Sequence, residues 1–421
     1  MKNRRNIFLL IAALLSALTY ALASQTFGND QAWLGSLLTE EDDEVIEDDF
    51  LLDDSLWASD ASSSGAEAAV APAPQSLSPW SMESSVGGGF GYRENVLFGA
   101  DNKQVDSSFQ QVDFDYFAMR SFQEGRGDIA TVFFGELRNY DSVPGLSSEH
   151  LLAMNTRIGM DFLGDYRGIL QLEAMHSEQA IDASVDDFET EALAVSVFRP
   201  GVVLGLERAF DGLGAFQLTY GYRNSKYSED SEDFDSTFYG LEWEKRISDR
   251  SQLTLGWERY SEDYDRKLSR RVGEAWEGAP LLELSGNRYE FEWLWSNREG
   301  AFRRSRFTAD YEREEDRYGN YYARSKMRLR QGFEWSFGRW ELDTGVSMDQ
   351  LDYDFRASSD DPSVLRSDDS WRWDVELSRK MGEDWKAFVR HENSFKDSSD
   401  ALYEYDAAST YIGLNWNFLS R

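Results

Sequence analysis

The fold is decided by the stretch at residues 411–418, which reads YIGLNWNF. Apolar side chains occupy every second position, at Ile412, Leu414, Trp416 and Phe418, and small or polar residues lie between them. Alternation with a period of two is typical of a β-strand that has one apolar face. Such a face packs either on a protein core or against lipid, in which case the other face lines a polar lumen.

The same alternation recurs about sixteen times between residues 82 and 418. Short connections rich in Gly, Asp and Asn alternate with longer acidic connections, such as residues 228–235, 261–286 and 354–369. Short turns on one side and long loops on the other are the pattern of outer-membrane barrels. The sequence therefore predicts an all-β protein, a single antiparallel transmembrane β-barrel over residues 82–421.

The strand count depends on one proline. Segments 191–198 and 202–210 are separated only by Arg199, Pro200 and Gly201. A closed bacterial barrel has an even number of strands, and Pro-Gly suits a β-bulge within one strand. Merging the two segments predicts about sixteen strands, with every long loop on the same side.

The N-terminus predicts the compartment. Residues 1–23 combine a basic start at Lys2, Arg4 and Arg5, an apolar run over 7–18, and an A-x-A site ending at Ala23. This is the pattern of a secretory signal peptide cleaved after Ala23. Since no later stretch has eighteen consecutive apolar residues, a helical membrane protein is excluded. The absence of cysteine excludes disulfide scaffolds, thiolate metal sites and cysteine nucleophiles.

Acidic residues dominate the chain, whose formal net charge is −34. Residues 24–81 are acidic at first and then rich in Ala, Ser and Pro, a composition that predicts a disordered periplasmic segment. Apolar residues interleaved within Glu40 to Trp57 leave open that this part folds on a periplasmic partner; a solvated tail is the alternative. The charge disfavours nucleic acid as a partner.

The two ends of the barrel region resemble known outer-membrane proteins. Residues 410–418 resemble the terminal strand signal of Gram-negative barrels, although residues 419–421 follow the aromatic that usually ends the chain. Residues 91–97, GYRENVL, resemble the first strand of the β-barrel porin type 2 group, which includes barrels from exopolysaccharide gene clusters. The resemblance implies a bacterial outer-membrane location, contact with outer-membrane lipid and lipopolysaccharide, and the barrel assembly machinery as a partner. It assigns the assembly signal to Tyr411, Leu414, Trp416 and Phe418.

If the apolar positions face lipid, the alternate positions line a lumen. Two neighbouring strands then point six cations inward, and the next strand points carboxylates inward. These charges have two interpretations: a cross-strand ion-pair network, or a basic stripe that selects anionic solutes. The basic stripe comprises Arg304, Arg306, Arg324, Lys326, Arg328 and Arg330, and its predicted ion-pair partners are Glu341, Asp343 and Asp349.

Catalytic and metal-binding patterns are poor. The three histidines, His150, His176 and His391, lie in no recognisable triad, and the acidic run 229–235 lacks the glycine and spacing of a calcium loop. No enzyme, cofactor or metal site is predicted. The predicted function is a passive or gated pore for a small solute or an envelope polymer; the alternative is a non-conducting structural or assembly barrel that anchors envelope partners.

Overall fold

The computed structural model describes residues 80–97, 104–122, 126–143, 146–162, 164–182, 192–271, 276–297, 300–358 and 361–420. The predicted signal peptide and the acidic segment Glu40 to Trp57 lie outside the described residues. Among the residues described, no helix has the length and apolar character needed to cross a membrane.

Sixteen antiparallel strands form one closed sheet in which each strand pairs with its neighbours in sequence and β1 also pairs with β16. The predicted fold class and strand count are therefore confirmed. The strands are β1 Ser81–Arg93, β2 Ser107–Ser121, β3 Gly127–Val143, β4 Leu146–Phe162, β5 Tyr166–Asp182, β6 Ala192–Phe210, β7 Gly214–Tyr227, β8 Phe234–Ser248, β9 Ser251–Leu268, β10 Leu281–Ser296, β11 Phe302–Asp316, β12 Arg324–Phe337, β13 Trp340–Ala357, β14 Leu365–Lys380, β15 Trp385–Ser398 and β16 Tyr405–Ser420.

Strand β6 runs through Pro200 as one element, as predicted, but the expected bulge is absent. The ladder with β7 has no pair at Arg199 or Pro200, yet it resumes at Gly201, opposite Arg223, in the same register. On its other side Pro200 lies opposite Ala174 in an unbroken ladder. Proline removes one backbone donor, and the sheet accommodates that loss without inserting an extra residue.

The two ends of the barrel differ largely as expected: one end has short turns together with the start of β1 and the end of β16, and at the other end every connection except the two residues between β3 and β4 is longer. We call these the turn end and the loop end. The loop-end connections are shorter than predicted, because the strands continue into the acidic sequence; the expected loop at 261–286 is reduced to the residues between Leu268 and Leu281. Ion pairs offset the acidic charge there: Lys226 Nζ lies 3.0 Å from Asp233 and 2.7 Å from Asp265.

The two faces of the sheet have opposite chemistry. Apolar side chains are exposed on the outside, with Leu204 54%, Leu218 56% and Ile412 62% exposed. The intervening residues point inward and are mostly polar or charged. At the β1–β16 seam, Gly91 gives room to an inward ring: a Cβ there would lie 2.3 Å from the ring of Phe109.

Candidate functional site: the lumen

The six predicted cations form a ladder along β11 and β12. Six successive residue pairs of β11 and β12 point inward, and each pair contains one cation. In the four pairs nearest the loop end the cation belongs to β12, and in the two pairs nearest the turn end it belongs to β11. Inward side chains of one strand repeat at about 7 Å, so the cations follow the length of the lumen. The pairs of this cation ladder are Arg324–Glu314, Lys326–Glu312, Arg328–Asp310, Arg330–Thr308, Arg306–Gly332 and Arg304–Glu334.

Carboxylates lie beside at least four of these cations. Arg324 Nε lies 3.0 Å from Glu314, and Arg304 Nε lies 3.6 Å from Glu334. The other two pairs join Arg306 to Glu292, at 2.6 Å, and Arg328 to Asp349. The ladder is thus embedded in an ion-pair network that involves β10, β11, β12 and β13.

Two of the three carboxylates expected to pair with the stripe lie elsewhere. Glu341 forms an ion pair with Lys380 at 2.5 Å. Asp343 lies opposite Glu334 on one side and Glu376 on the other, and in the described part of the chain its Oδ1 has no hydrogen-bond partner. The register explains the difference, since it sets these two residues beside the turn-end pairs, where β12 has no cation.

A second set of lumen carboxylates was missed from the sequence. Glu242 and Glu244 on β8 and Glu290 on β10 point inward, and within the described ranges none of them has a hydrogen bond or an ion pair. Between them β9 contributes only small inward residues, Thr254 and Gly256. In the sequence these glutamates alternate with the outward residues Leu241, Trp243 and Phe291, and this alternation indicates that the glutamates point inward.

Arg157 partly balances this carboxylate-rich wall. It reaches from β4 past β5 to Glu207 on β6, with Nη2 3.4 Å from the carboxylate and 3.4 Å from Gln217 on β7. The lumen therefore has two chemically different walls: a cation ladder paired with carboxylates on β10–β13, and a wall on β6–β10 where carboxylates exceed cations.

The loop half of the lumen is densely packed with apolar side chains and with buried ion pairs such as Lys267–Glu232 and Arg366–Asp368, and it is filled partly by connections that fold inward. Tyr321 and Tyr322, between β11 and β12, pack against buried side chains of β4 to β10 that include Met175, Val197 and Leu282. Val96 and Leu97, between β1 and β2, pack on Phe109, Tyr140 and Tyr411. We call the inward connection residues Val96, Leu97, Tyr321, Tyr322 and Tyr403 the loop-end plug.

Local backbone contacts hold Tyr321 and Tyr322 in place. Asp316 Oδ1 accepts hydrogen bonds at 3.0 Å from the backbone N–H groups of Tyr318 and Gly319. Gly319 lies directly against the backbone of Arg270, where a Cβ would be 1.7 Å from the carbonyl oxygen. Tyr318 instead turns outward and donates to Glu283 at 2.7 Å, a hydrogen bond that raises the pKa of Tyr318.

Arg356 joins two parts of the plug. Its guanidinium lies over the ring of Tyr321 at 5.6 Å, and Nη2 donates to the hydroxyl of Tyr403 at 3.4 Å. Tyr403 also covers Arg366, whose guanidinium is 3.5 Å from the ring centroid. The connections β11–β12 and β15–β16 are therefore coupled through Arg356, by a cation–aromatic contact with Tyr321 and a hydrogen bond to Tyr403.

The structure divides the four residues of the predicted assembly signal between the two faces of β16. Leu414, Trp416 and Phe418 are exposed on the outside, whereas Tyr411 is 6% exposed and points into the lumen. Its hydroxyl donates to Asp113 at 3.3 Å, and its ring packs on Phe109 and Phe388. Tyr411 therefore contributes to the inner packing of the seam, while the other three contribute to the apolar outer face.

The histidines lie on the outer face. His150 and His176 are in ring contact at 4.8 Å, and His391 lies 2.9 Å from the hydroxyl of Thr410. In the described part of the chain, no group of three or more His, Asp or Glu side chains is arranged to hold a metal ion.

No family model matches this sequence, and no curated protein matches it. Solved structures do match. One is Acinetobacter baumannii OccAB2, with 10% identity over 81% of this chain and 98% of that chain and a TM-score of 0.43. Another is Pseudomonas aeruginosa OccK2 (OpdF) in complex with glucuronate, with 12% identity, 81% and 98% coverage, and a TM-score of 0.39. A BenF-like porin from Pseudomonas fluorescens Pf-5 has 10% identity, 80% and 99% coverage, and a TM-score of 0.40. At these identities and TM-scores, the function has to be inferred from the residues of this chain.

Proposed function

We propose that this protein is an outer-membrane pore that is gated at its loop end and conducts a small solute. One observation carries the proposal: a closed sheet of sixteen strands with an apolar outer face and a charged inner face. A barrel of this size encloses more space than its side chains fill and so holds water. Ionised groups in a dry core would each cost several kcal/mol, so the charged inner face is most simply explained by a hydrated lumen.

The gate is the loop-end plug. Its tyrosines pack on apolar side chains of the strands, so ions that enter from the turn end meet a densely packed region, rich in apolar side chains, after the more open charged one. Hydrophobic constrictions gate pores by excluding water. We therefore propose a channel whose conductance depends on how the β1–β2, β11–β12 and β15–β16 connections lie in the lumen.

The cation ladder supports two roles within this pore. The ion pairs of Arg304, Arg306, Arg324 and Arg328 support a network that stabilises the lumen wall. Selection of anionic solutes is the second role, and the presence of one cation in each of six successive pairs favours it. Both roles are compatible, because the solute-facing side of a paired guanidinium keeps donors available.

The biogenesis of the barrel is part of the proposal. We infer a signal peptide cleaved after Ala23, insertion by the barrel assembly machinery, and a final position among outer-membrane lipid and lipopolysaccharide. Membership of the β-barrel porin type 2 group, with an envelope polymer as the solute, is a finer proposal that rests on residues 91–97. Fractionation with the outer membrane, and different gel mobility of boiled and unboiled samples, would support this location; recovery as a soluble periplasmic protein would contradict it.

The second candidate is a non-conducting barrel that anchors envelope partners, including a periplasmic partner of Glu40 to Trp57. The packed loop half of the lumen favours it. Single-channel recording of the purified full chain in a planar bilayer separates the two functions. Discrete conductance steps, from the full chain or from a variant without the plug tyrosines, support the pore. Silence from both, with folding verified by heat-modifiable mobility, supports the scaffold.

A further inference from the structure

An outward-facing row of donors crosses three strands near the loop end. Arg259 on β9 lies opposite Asn287 on β10, and Asn287 lies opposite Arg313 on β11. Their sequence neighbours Tyr260, Arg288 and Glu312 point into the lumen, where they are hydrogen-bonded to one another, so these three side chains point outward. We call Arg259, Asn287 and Arg313 the outer donor row.

The donors of this row differ in their partners. Arg259 is exposed, and among the described residues it has neither an ion pair nor a hydrogen bond. The amide of Asn287 likewise has no hydrogen bond in the described ranges. Arg313 is paired with Asp354, with Nη1 2.9 Å from Oδ1. The row therefore offers a free guanidinium and a free amide beside a neutralised guanidinium.

The height of the row follows from the residues beneath it. One inward–outward repeat closer to the turn end, the same strands carry Trp257, Tyr289 and Tyr311 in register. Aromatic rings collect at the boundary between hydrocarbon and headgroups. An arginine on the lipid face costs about 2–4 kcal/mol at the midplane but about 0–1 kcal/mol at the interface. The aromatic row beneath it and the high cost of an arginine deeper in the membrane together place the outer donor row at the level of the headgroups.

Carboxylates surround this row but do not occupy it. Glu315 lies one repeat above Arg313, opposite Ser285. Asp263 and Glu283 lie opposite each other two repeats above Arg259, about 13 Å away along the strand. An anion is therefore attracted to Arg259 and Asn287 and is repelled from the rim above. Ser285, one repeat above Asn287, lies between Ser261 and Glu315 and can add a hydroxyl donor from its Ser261 side.

We propose that Arg259, Asn287 and Ser285 bind the phosphorylated headgroup of a lipid in the outer leaflet. A guanidinium offers paired donors that match the oxygens of a phosphate, and the amide and hydroxyl add uncharged donors. The acyl chains then lie along Trp257 and Tyr289. This inference depends on the proposed outer-membrane location, and it is independent of whether the barrel conducts.

The test is native mass spectrometry of the detergent-purified full chain, titrated with lipid A and, separately, with dephosphorylated lipid A. The variants are Arg259→Ala, Arg259→Lys and Asn287→Ala. The matched control is Arg379→Ala, which removes an exposed arginine at the turn end that lies over the ring of Trp340 at 5.2 Å. Each sample is first checked for folding by heat-modifiable mobility.

We expect Arg259→Ala to weaken lipid A binding about tenfold, since a charge-assisted contact is lost, and Asn287→Ala to weaken it less. Arg259→Lys should keep most of the binding, and Arg379→Ala should leave it unchanged. Dephosphorylated lipid A should bind all samples equally weakly. Unchanged binding by Arg259→Ala, an equal loss in Arg379→Ala, or equal binding of the two lipids would each overturn the proposal. Because the readout is lipid binding, a failure of the pore proposal leaves this result interpretable.

Discussion

The loop half and the turn half of the lumen are built on the same strands but have opposite interiors. In the loop half Val197, Met175 and Leu282 are almost fully buried against inward tyrosines. At the turn end of the ladder the side chains of Arg304 and Glu334 keep contact with solvent, at 27% and 30% exposed, whereas Arg306 and Glu292, one pair further in, are 12% and 9% exposed. At the loop end of the ladder Arg324 and Glu314 are only 12% and 3% exposed. The sheet forms a continuous wall, and the inward strand residues together with the connections change the interior from a charged vestibule to a packed region of apolar side chains and buried ion pairs.

The two halves differ because the connections at the two ends of the barrel differ in length. Turns of two to five residues cannot reach into the lumen, so at the turn end the strands' own side chains line it. At the loop end the β1–β2, β11–β12 and β15–β16 connections are long enough to fold inward, and their apolar and aromatic side chains are buried there. The loop half is therefore where we expect resistance to ion flow.

The largest effect should come from removing the plug tyrosines. Tyr321→Ser with Tyr322→Ser deletes two rings from the packed region, and single-channel conductance should rise severalfold because water enters the loop half. Tyr318→Ser is the matched control, since Tyr318 belongs to the same connection but points outward. Unchanged conductance in the double variant would mean that the packed loop half does not limit ion flow and is not the gate.

The next effect concerns ion selectivity at the two ends of the ladder. Reversing Arg324 to Glu should shift the reversal potential towards cations more than reversing Arg304 to Glu, because Arg324 lies in the less solvated part of the lumen. Loss of Arg324 removes a guanidinium from the buried carboxylate of Glu314, and breaking a buried ion pair can cost about 3–5 kcal/mol, so Arg324→Gln provides a milder comparison. If neither variant shifts the reversal potential while conductance is intact, only the ion-pair network remains as the role of the ladder.

A smaller effect should follow from displacing the plug without removing it. Gly319→Ala places a Cβ against the carbonyl oxygen of Arg270, so the β11–β12 connection has to move. We expect a larger fraction of open time with unchanged open conductance, measured in the same bilayer recordings. Gly382→Ala at the turn end, where a Cβ would meet nothing within 4 Å, should behave as the wild type. If the two variants have the same fraction of open time, the position of Gly319 does not control gating.

The smallest effect concerns the turn end and the acidic segment that precedes β1. Deleting residues 30–57 should raise conductance slightly at low salt, if this segment is attracted to the cations of the turn half. The difference should vanish at high salt, because interactions are screened beyond about 10 Å already in 0.1 M salt. Equal conductance with and without residues 30–57 at both salt concentrations would leave the loop half as the only obstacle in the lumen.

Much of the fold was predictable because its signals are local. A period of two, with aromatics at the strand ends, identified which residues face outward and which face inward, and turn residues marked where the strands end at the turn end. At the loop end the strands continue further than the sequence indicated. The even strand count required by a closed barrel settled that β6 continues through Pro200. The bulge expected there was wrong, since propensity at Pro-Gly was overridden by pairing with neighbours on both sides.

The candidate site depended on information that no local pattern contains. Sequence alone determined that six cations point inward on two adjacent strands, but the register decided that they follow one another along the lumen, and that Asp349 lies beside Arg328 while Glu341 and Asp343 lie near the turn end. Only the tertiary structure showed that Tyr321 and Tyr322 fold inward and that Tyr411 points into the lumen. The physical reason is that alternation is set by each strand's own backbone, whereas register and loop packing are set by contacts between residues far apart in the chain.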